Sequence, residues 1–273
     1  MIETRQAKPD GTLPQPGLRR FGWIPAAALL FGLWVAPAAQ ASSLDMALQT
    51  PPGGQGAQDL TRVTERLGVH LTSELRQNFG LFVYVDKAAS GPFAQRMYVF
   101  RRTDLGDLAL LYNWPVSTGR ESLEQDPHGR LQSSITPTGF FELDPARLYA
   151  DHTSSQWNEP MPFAMFFNWQ PGGHKTGLAI HGTADSDVGQ LGTRASAGCV
   201  RLATDNAHTL FDLVSTTFRV AAPALAYRDS SGPVSSDGLL VHAEDGSLPK
   251  ADGYSVLVLI DDYTGDERTS ALY

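Results

Sequence analysis

From Leu81 onward the chain is cut into short apolar pieces. LFVYVD (81–86), RMYVFRR (96–102), LALLYNWPVST (108–118) and GFFELD (139–144) are rich in β-branched and aromatic residues, with Gly, Pro, Asp and Asn between them. Such pieces are too short and too often interrupted for helices, and their spacing is that of strands in a sandwich or barrel. GLAIHGT (177–183) reads as a further buried strand, and FRVAAPALAY (218–227) and YSVLVLIDD (254–262) as late ones. The predicted fold is therefore mainly β, a β-sandwich or barrel-like domain with one or two flanking helices. One helix is expected over 59–78, where Leu60, Val63, Leu67, Leu71 and Leu75 share a face, with Asp59 as N-cap and a break near Gly68. A second is expected over 205–215, carrying Leu210, Leu213 and Val214 on one side.

The first 41 residues have the order of a secretory signal. Arg19 and Arg20 precede an uncharged run from Phe21 to Ala36, then Ala39-Gln40-Ala41 gives a small-x-small cleavage pattern. The run contains Pro25 and is shorter than the roughly 20 apolar residues a spanning helix needs, so no stable membrane insertion of the mature chain is expected. The expected organisation is a signal peptide at 1–41, a flexible leader and N-terminal helix at 42–79, a catalytic domain at 80–222 and a C-terminal β extension or cap at 223–273. The formal net charge is −8, and the signal carries more basic than acidic residues, so the remainder is more acidic still. A nucleic-acid partner, which needs a basic face, is not expected. Export across an inner membrane, with the periplasm as destination, is.

Cys199 is the only cysteine of the chain. A lone cysteine in an exported protein is a small buried hydrophobe, an intermolecular link or a reactive thiol. Its neighbourhood favours the last. A cysteine attacks as thiolate, so it needs a base or a positive environment. His181 ends a predicted strand, and a loop rich in glycine and small residues joins it to Cys199. Gly198 lets the backbone approach a substrate, and Arg201 is placed to favour the thiolate or bind a substrate carboxylate. On this basis the thiol pKa is expected to be depressed and alkylation at neutral pH quick. A zinc site from His174, His181 and Cys199 matches no compact ligand spacing. No metal and no cofactor are expected.

AIHGT (179–183), Leu191-Gly192 and SAGCVRL (196–202), preceded in order by PVSTG (115–119), TPTGFFEL (136–143) and MPFAMFF (161–167), together resemble the catalytic motif of the YkuD-type L,D-transpeptidases. The resemblance covers about 80–222. It implies a β-rich catalytic domain whose cysteine forms a thioester with tetrapeptide stems of peptidoglycan, releases D-alanine and passes the acyl group to an amine. Carried over by position, Cys199 is the nucleophile and His181 the general base. Gly198, Ser196, Arg201 and Gly182 form or support the oxyanion site, and Arg201, Thr138, Gly139 and Phe167 touch substrate. The group orienting His181 is expected to be a backbone carbonyl near Gly182 rather than Asp185 or Asp187. Many members carry histidine before the glycine of this motif. Here that position is Ala197, so His181 alone must move the proton. The implied partners are stem peptides, with a wall-attached protein as a further acceptor. A hydrolytic variant (carboxypeptidase or amidase) and a non-catalytic wall-binding module are the alternatives.

Overall fold

The structure, a computed structural model, describes residues 55–228 and 234–265. The predicted signal at 1–41 and the first part of the leader lie outside those residues. The chain opens with α1 (Gln55–His70) and α2 (Ser73–Asn78), then β1 (Leu81–Asp86), β2 (Arg96–Arg102) and β3 (Leu108–Pro115). Short β4 (Thr118–Gly119), β5 (Leu123–Gln125) and β6 (Leu131–Ser133) follow, then β7 (Gly139–Phe141), β8 (Leu143–Tyr149) and β9 (Ala164–Phe167). Next come β10 (Ala179–Gly182), β11 (Arg194–Ser196), β12 (Val200–Leu202) and α3 (Thr204–Asp212). The last strands are β13 (Ala222–Pro223), β14 (Lys250–Ala251) and β15 (Val256–Asp261).

Two sheets make the body of the domain. One has the order β3-β2-β1-β15-β7, the other β12-β10-β9-β8. Strand alternation supplies both with an inner face. Val83, Val85, Val258 and Ile260 of the first sheet meet Met165, Phe167, Ile180, Val200 and Leu202 of the second in one core, closed at the side by Ala207 and Leu210 of α3. The other face of the first sheet, with Phe82, Tyr84, Leu257 and Leu259, is covered by Val63 and Leu67 of α1 and Leu75 of α2. This double covering explains why LFVYVD is a continuous apolar run: every residue of β1 is buried. The second sheet is different. Its outer face carries only a small cluster, Met161, Ala164, Phe166 and Ala179, with Cys199 packed against it.

Several sequence expectations change. The N-terminal helix is two helices, and it begins at Gln55, so Asp59 lies inside it and not at its cap. The break falls after Leu71, where the Thr72 hydroxyl accepts the Leu75 N–H and starts α2, rather than at Gly68. Within the segment expected to extend or cap the domain, 223–273, the described residues include a strand that completes the catalytic fold. That strand, β15, sits inside the first sheet, parallel to β1 and antiparallel to β7. Of FRVAAPALAY, only Ala222–Pro223 forms a strand, paired with Lys250–Ala251. Among the described residues, no helix is long and apolar enough to cross a membrane.

Candidate active site

β10 and β12 run parallel with Ile180 opposite Val200 and His181 opposite Arg201. Since Ile180, Val200 and Leu202 point into the core, alternation turns Ala179, His181, Arg201 and the preceding Cys199 to the opposite face. There His181, Cys199 and Arg201 line a cleft of about 540 Å³. Its walls include Ile135, Pro137, Trp157, Phe166, Trp169 and Leu178, so they are largely apolar.

His181 is 5 % exposed, and its Nδ1 lies 2.7 Å from the carbonyl oxygen of Gly182. A carbonyl only accepts, so Nδ1 carries the proton and Nε2 keeps the lone pair. Asp187 takes no part in this. Burial, opposed by that carbonyl and reinforced by the charges of Arg201 and His152, lowers the imidazole pKa to about 4. The Cys199 thiol points to the Gly177 carbonyl, 3.7 Å away. Its pKa is pushed up to about 11: burial raises it, the Ala179 amide and Arg201 pull it down less, and Glu159 adds to the rise. The expected depressed thiol is thus overturned, because desolvation of the charged form outweighs one buried guanidinium. Thiol and imidazole, which line the same cleft, both rest neutral. Alkylation by iodoacetamide is accordingly expected to be slower at pH 7 than for a free small-molecule thiol, and to climb about tenfold per pH unit beyond pH 9. A rate plateau below pH 8 would contradict this.

The loop before Cys199 is tied down by hydroxyls. The Ser196 hydroxyl accepts the Gly198 N–H at 3.1 Å and donates to the Cys199 carbonyl at 2.6 Å. The Gly198 amide is therefore spent, and Gly198 serves through its conformation instead. Its φ is +115°, and a Cβ would sit 3.0 Å from Leu178 and 3.1 Å from the Ile135 carbonyl. Thr136, in the turn before β7, is a supporting residue. Its hydroxyl donates to the Gly198 carbonyl at 2.8 Å and accepts the Gly119 N–H at 2.7 Å, joining three motif segments.

Arg201 supports rather than contacts. Buried at 6 % exposure, it pairs with Asp187 at 3.1 Å and donates to Gln190 at 3.2 Å and to the Ala195 carbonyl at 2.8 Å. Its terminal nitrogens hold the loop between His181 and Cys199, so they are not offered to a substrate carboxylate. The other expected substrate contacts are displaced by one or two residues. Phe167 is in the core, stacked on Phe141 at 4.6 Å, and alternation gives the cleft to Phe166. Thr138 and Gly139 lie under residues 234–236: the Ser235 N–H donates to the Thr138 carbonyl, and a Cβ on Gly139 would meet the Ser236 oxygen at 2.7 Å. Pro137 lines the cleft in their place. His152, a loop histidine able to line a cleft, reaches it from the connection after β8, and so does Glu159, which no sequence signal marks. Among the described residues, no three His, Cys, Asp or Glu side chains come together to hold a metal ion.

Residues 82–222 match the family model of the YkuD L,D-transpeptidase catalytic domain. The chain belongs to that family. Members act on peptidoglycan peptides. Solved structures similar to the YkuD domain include an L,D-transpeptidase from Xylanimonas cellulosilytica (19% identity over 74% of this chain and 69% of that one, TM-score 0.37). An L,D-transpeptidase from Mycobacterium tuberculosis H37Rv (14%, 67% and 58%, 0.33) and the helical cell shape determining protein Pgp2 from Campylobacter jejuni (16%, 70% and 53%, 0.36) are others. The chain spans less than two thirds of the last two. Among curated proteins, no sequence matches the chain.

Proposed function

We propose that the protein is an exported peptidoglycan L,D-transpeptidase that works through a Cys199 thioester. The observation that supports this reading is that Cys199, just before β12, and His181, on β10, line one cleft, with the imidazole tautomer fixed by the Gly182 carbonyl. The Cys199 sulfur attacks the carbonyl between residues three and four of a tetrapeptide stem. Nε2 of His181 takes the thiol proton and delivers it to the departing nitrogen as the C–N bond breaks. D-alanine leaves and the stem stays on sulfur. An amine then displaces the thiolate, so one difficult amide exchange becomes two easier steps. A neutral resting state of both groups suits this order: the imidazole, held near pKa 4, is a weak base but a strong acid once protonated, which favours expulsion of an amine. The apolar walls offer a dry setting for the short-lived charges. The predicted signal at 1–41 supports a place outside the inner membrane.

The test is to incubate the protein with disaccharide-tetrapeptide and read the products by mass spectrometry. Loss of D-alanine together with a cross-linked dimer is the expected result. Loss of D-alanine with no dimer would convert the reading to a carboxypeptidase. An unchanged tetrapeptide would remove it.

A further inference from the structure

A second cavity, of about 200 Å³, shares Glu159, His181 and Arg201 with the main cleft and is otherwise lined by Pro160, Thr183, Ala184, Ser186 and Asp187. The two spaces differ in chemistry. The main cleft is walled by aromatic and aliphatic side chains, the smaller one by carboxylates, hydroxyls and a guanidinium. Two polar atoms in the wall of the smaller cavity, Thr183 Oγ1 and Arg201 Nε, are buried without a hydrogen-bond partner among the described residues. Thr183 is 2 % exposed. Buried groups of this kind ask for a polar occupant. Charge narrows the choice. The Arg201 guanidinium is matched by Asp187, which leaves Glu159, exposed and in no ion pair among the described residues, as the uncompensated charge where the two spaces meet.

That position is costly for catalysis taken alone. A carboxylate beside the nucleophile opposes the thiolate, and Glu159 does push the Cys199 pKa upward. A cation bound next to it would cancel the penalty. We propose that the smaller cavity is the entry of the acyl acceptor, and that Glu159 binds that acceptor by its primary ammonium group. This rests on the transpeptidase reading above. The ammonium gives up one proton to the free Nε2 of His181, and the amine nitrogen attacks the thioester carbonyl. The amide C–N bond forms, the C–S bond breaks, and of the two protons lost from nitrogen one ends on the Cys199 sulfur and the other passes through His181 to water. Glu159 holds the cation until that first proton departs, and Thr183 Oγ1 offers a second acceptor to the same group.

The experiment compares wild type with Glu159→Gln, using disaccharide-tetrapeptide as donor and two acceptors: D-serine, a zwitterion whose amino group is an ammonium at neutral pH, and hydroxylamine, whose nitrogen is uncharged there. Glu159 is exposed and makes no side-chain ion pair, so the variant is expected to fold. KM for D-serine should rise about tenfold, since one charge contact is lost, while KM for hydroxylamine should stay within about twofold. Alkylation of Cys199 should become faster in the variant, as the charge opposing the thiolate is gone. An unchanged KM for D-serine would overturn the assignment, and so would an equal loss for hydroxylamine, which would make Glu159 a shape-determining residue. A wild type that never gains an acyl group on Cys199 would refute the transpeptidase reading itself. Acylation with no effect of the variant would refute this assignment alone.

Discussion

Cys199→Ala is expected to remove acyl transfer while leaving the fold in place, with turnover falling on the order of 10⁴-fold or more because Cys199 is the only thiol of the chain. The side chain is half-buried, packs against the small outer cluster of Met161, Ala164, Phe166 and Ala179, and points to the Gly177 carbonyl. Losing one sulfur there should cost less than about 1 kcal/mol. His181→Asn is the companion. The shorter amide can still donate to the Gly182 carbonyl, so the strand end keeps its hydrogen bond, but it offers no base. A loss of about 10²–10⁴ in acylation rate is expected from that change. The rate of acyl-enzyme formation, followed as the mass gained by the intact protein, measures both. Ala197 sharpens the expectation, since no imidazole stands before Gly198 to substitute for His181. If Cys199→Ala kept more than about a tenth of the turnover, the thioester route would be wrong, and the cysteine would be a packing residue of the outer face.

The mainly β frame was legible in the sequence, and so was the placing of His181 and Cys199 in one cleft. Alternation within AIHG and VRL is a local rule, and it was enough to put His181 and Cys199 on one face once the strands were parallel neighbours. The resemblance misplaced Phe167 by one residue, and alternation corrects it. MPFAMFF has aromatic residues at adjacent positions, and only the sheet packed against them decides which one faces the core. Thr138 and Gly139 failed for a related reason. What lies over them is residues 234–236, almost a hundred positions later, and no local pattern reports so distant a contact. The thiol pKa was misjudged because charge is visible in a sequence and desolvation is not. Arg201 could be seen. The depth at which Cys199 and His181 sit, and the Asp187 that neutralises the arginine, could not. Glu159 had no signal at all: it reaches the cleft from a connection whose course is set by its ends.

The largest structural effect is expected from the C-terminal strand. A chain ended at Gly253 should not fold. β15 lies between β1 and β7, and its apolar residues Val256, Leu257, Val258, Leu259 and Ile260 are each at most 4 % exposed. At about 1.5–3 kcal/mol for each buried apolar side chain, its removal forfeits roughly 7–15 kcal/mol. That equals the whole stability of an ordinary domain, about 5–15 kcal/mol. Removal would also leave β1 with an unpaired ladder edge and β7 with no partner in the sheet. Asp261 would go too, and with it the ion pair at 2.7 Å to Arg66 that fastens α1 to the sheet. The matched family region, 82–222, stops well short of this strand, so a fragment cut to those bounds inherits the same defect although it contains both Cys199 and His181. The contacts are long-range by necessity. β1 finds its parallel neighbour only after the rest of the domain has been threaded, so the strand that completes the sheet is the last to be supplied by the chain. Thermal unfolding followed by far-ultraviolet circular dichroism decides the matter. The full chain should show a cooperative transition and the shortened chain none. A cooperative melt of the shortened chain within about 5 °C of the full one would show that β15 is dispensable.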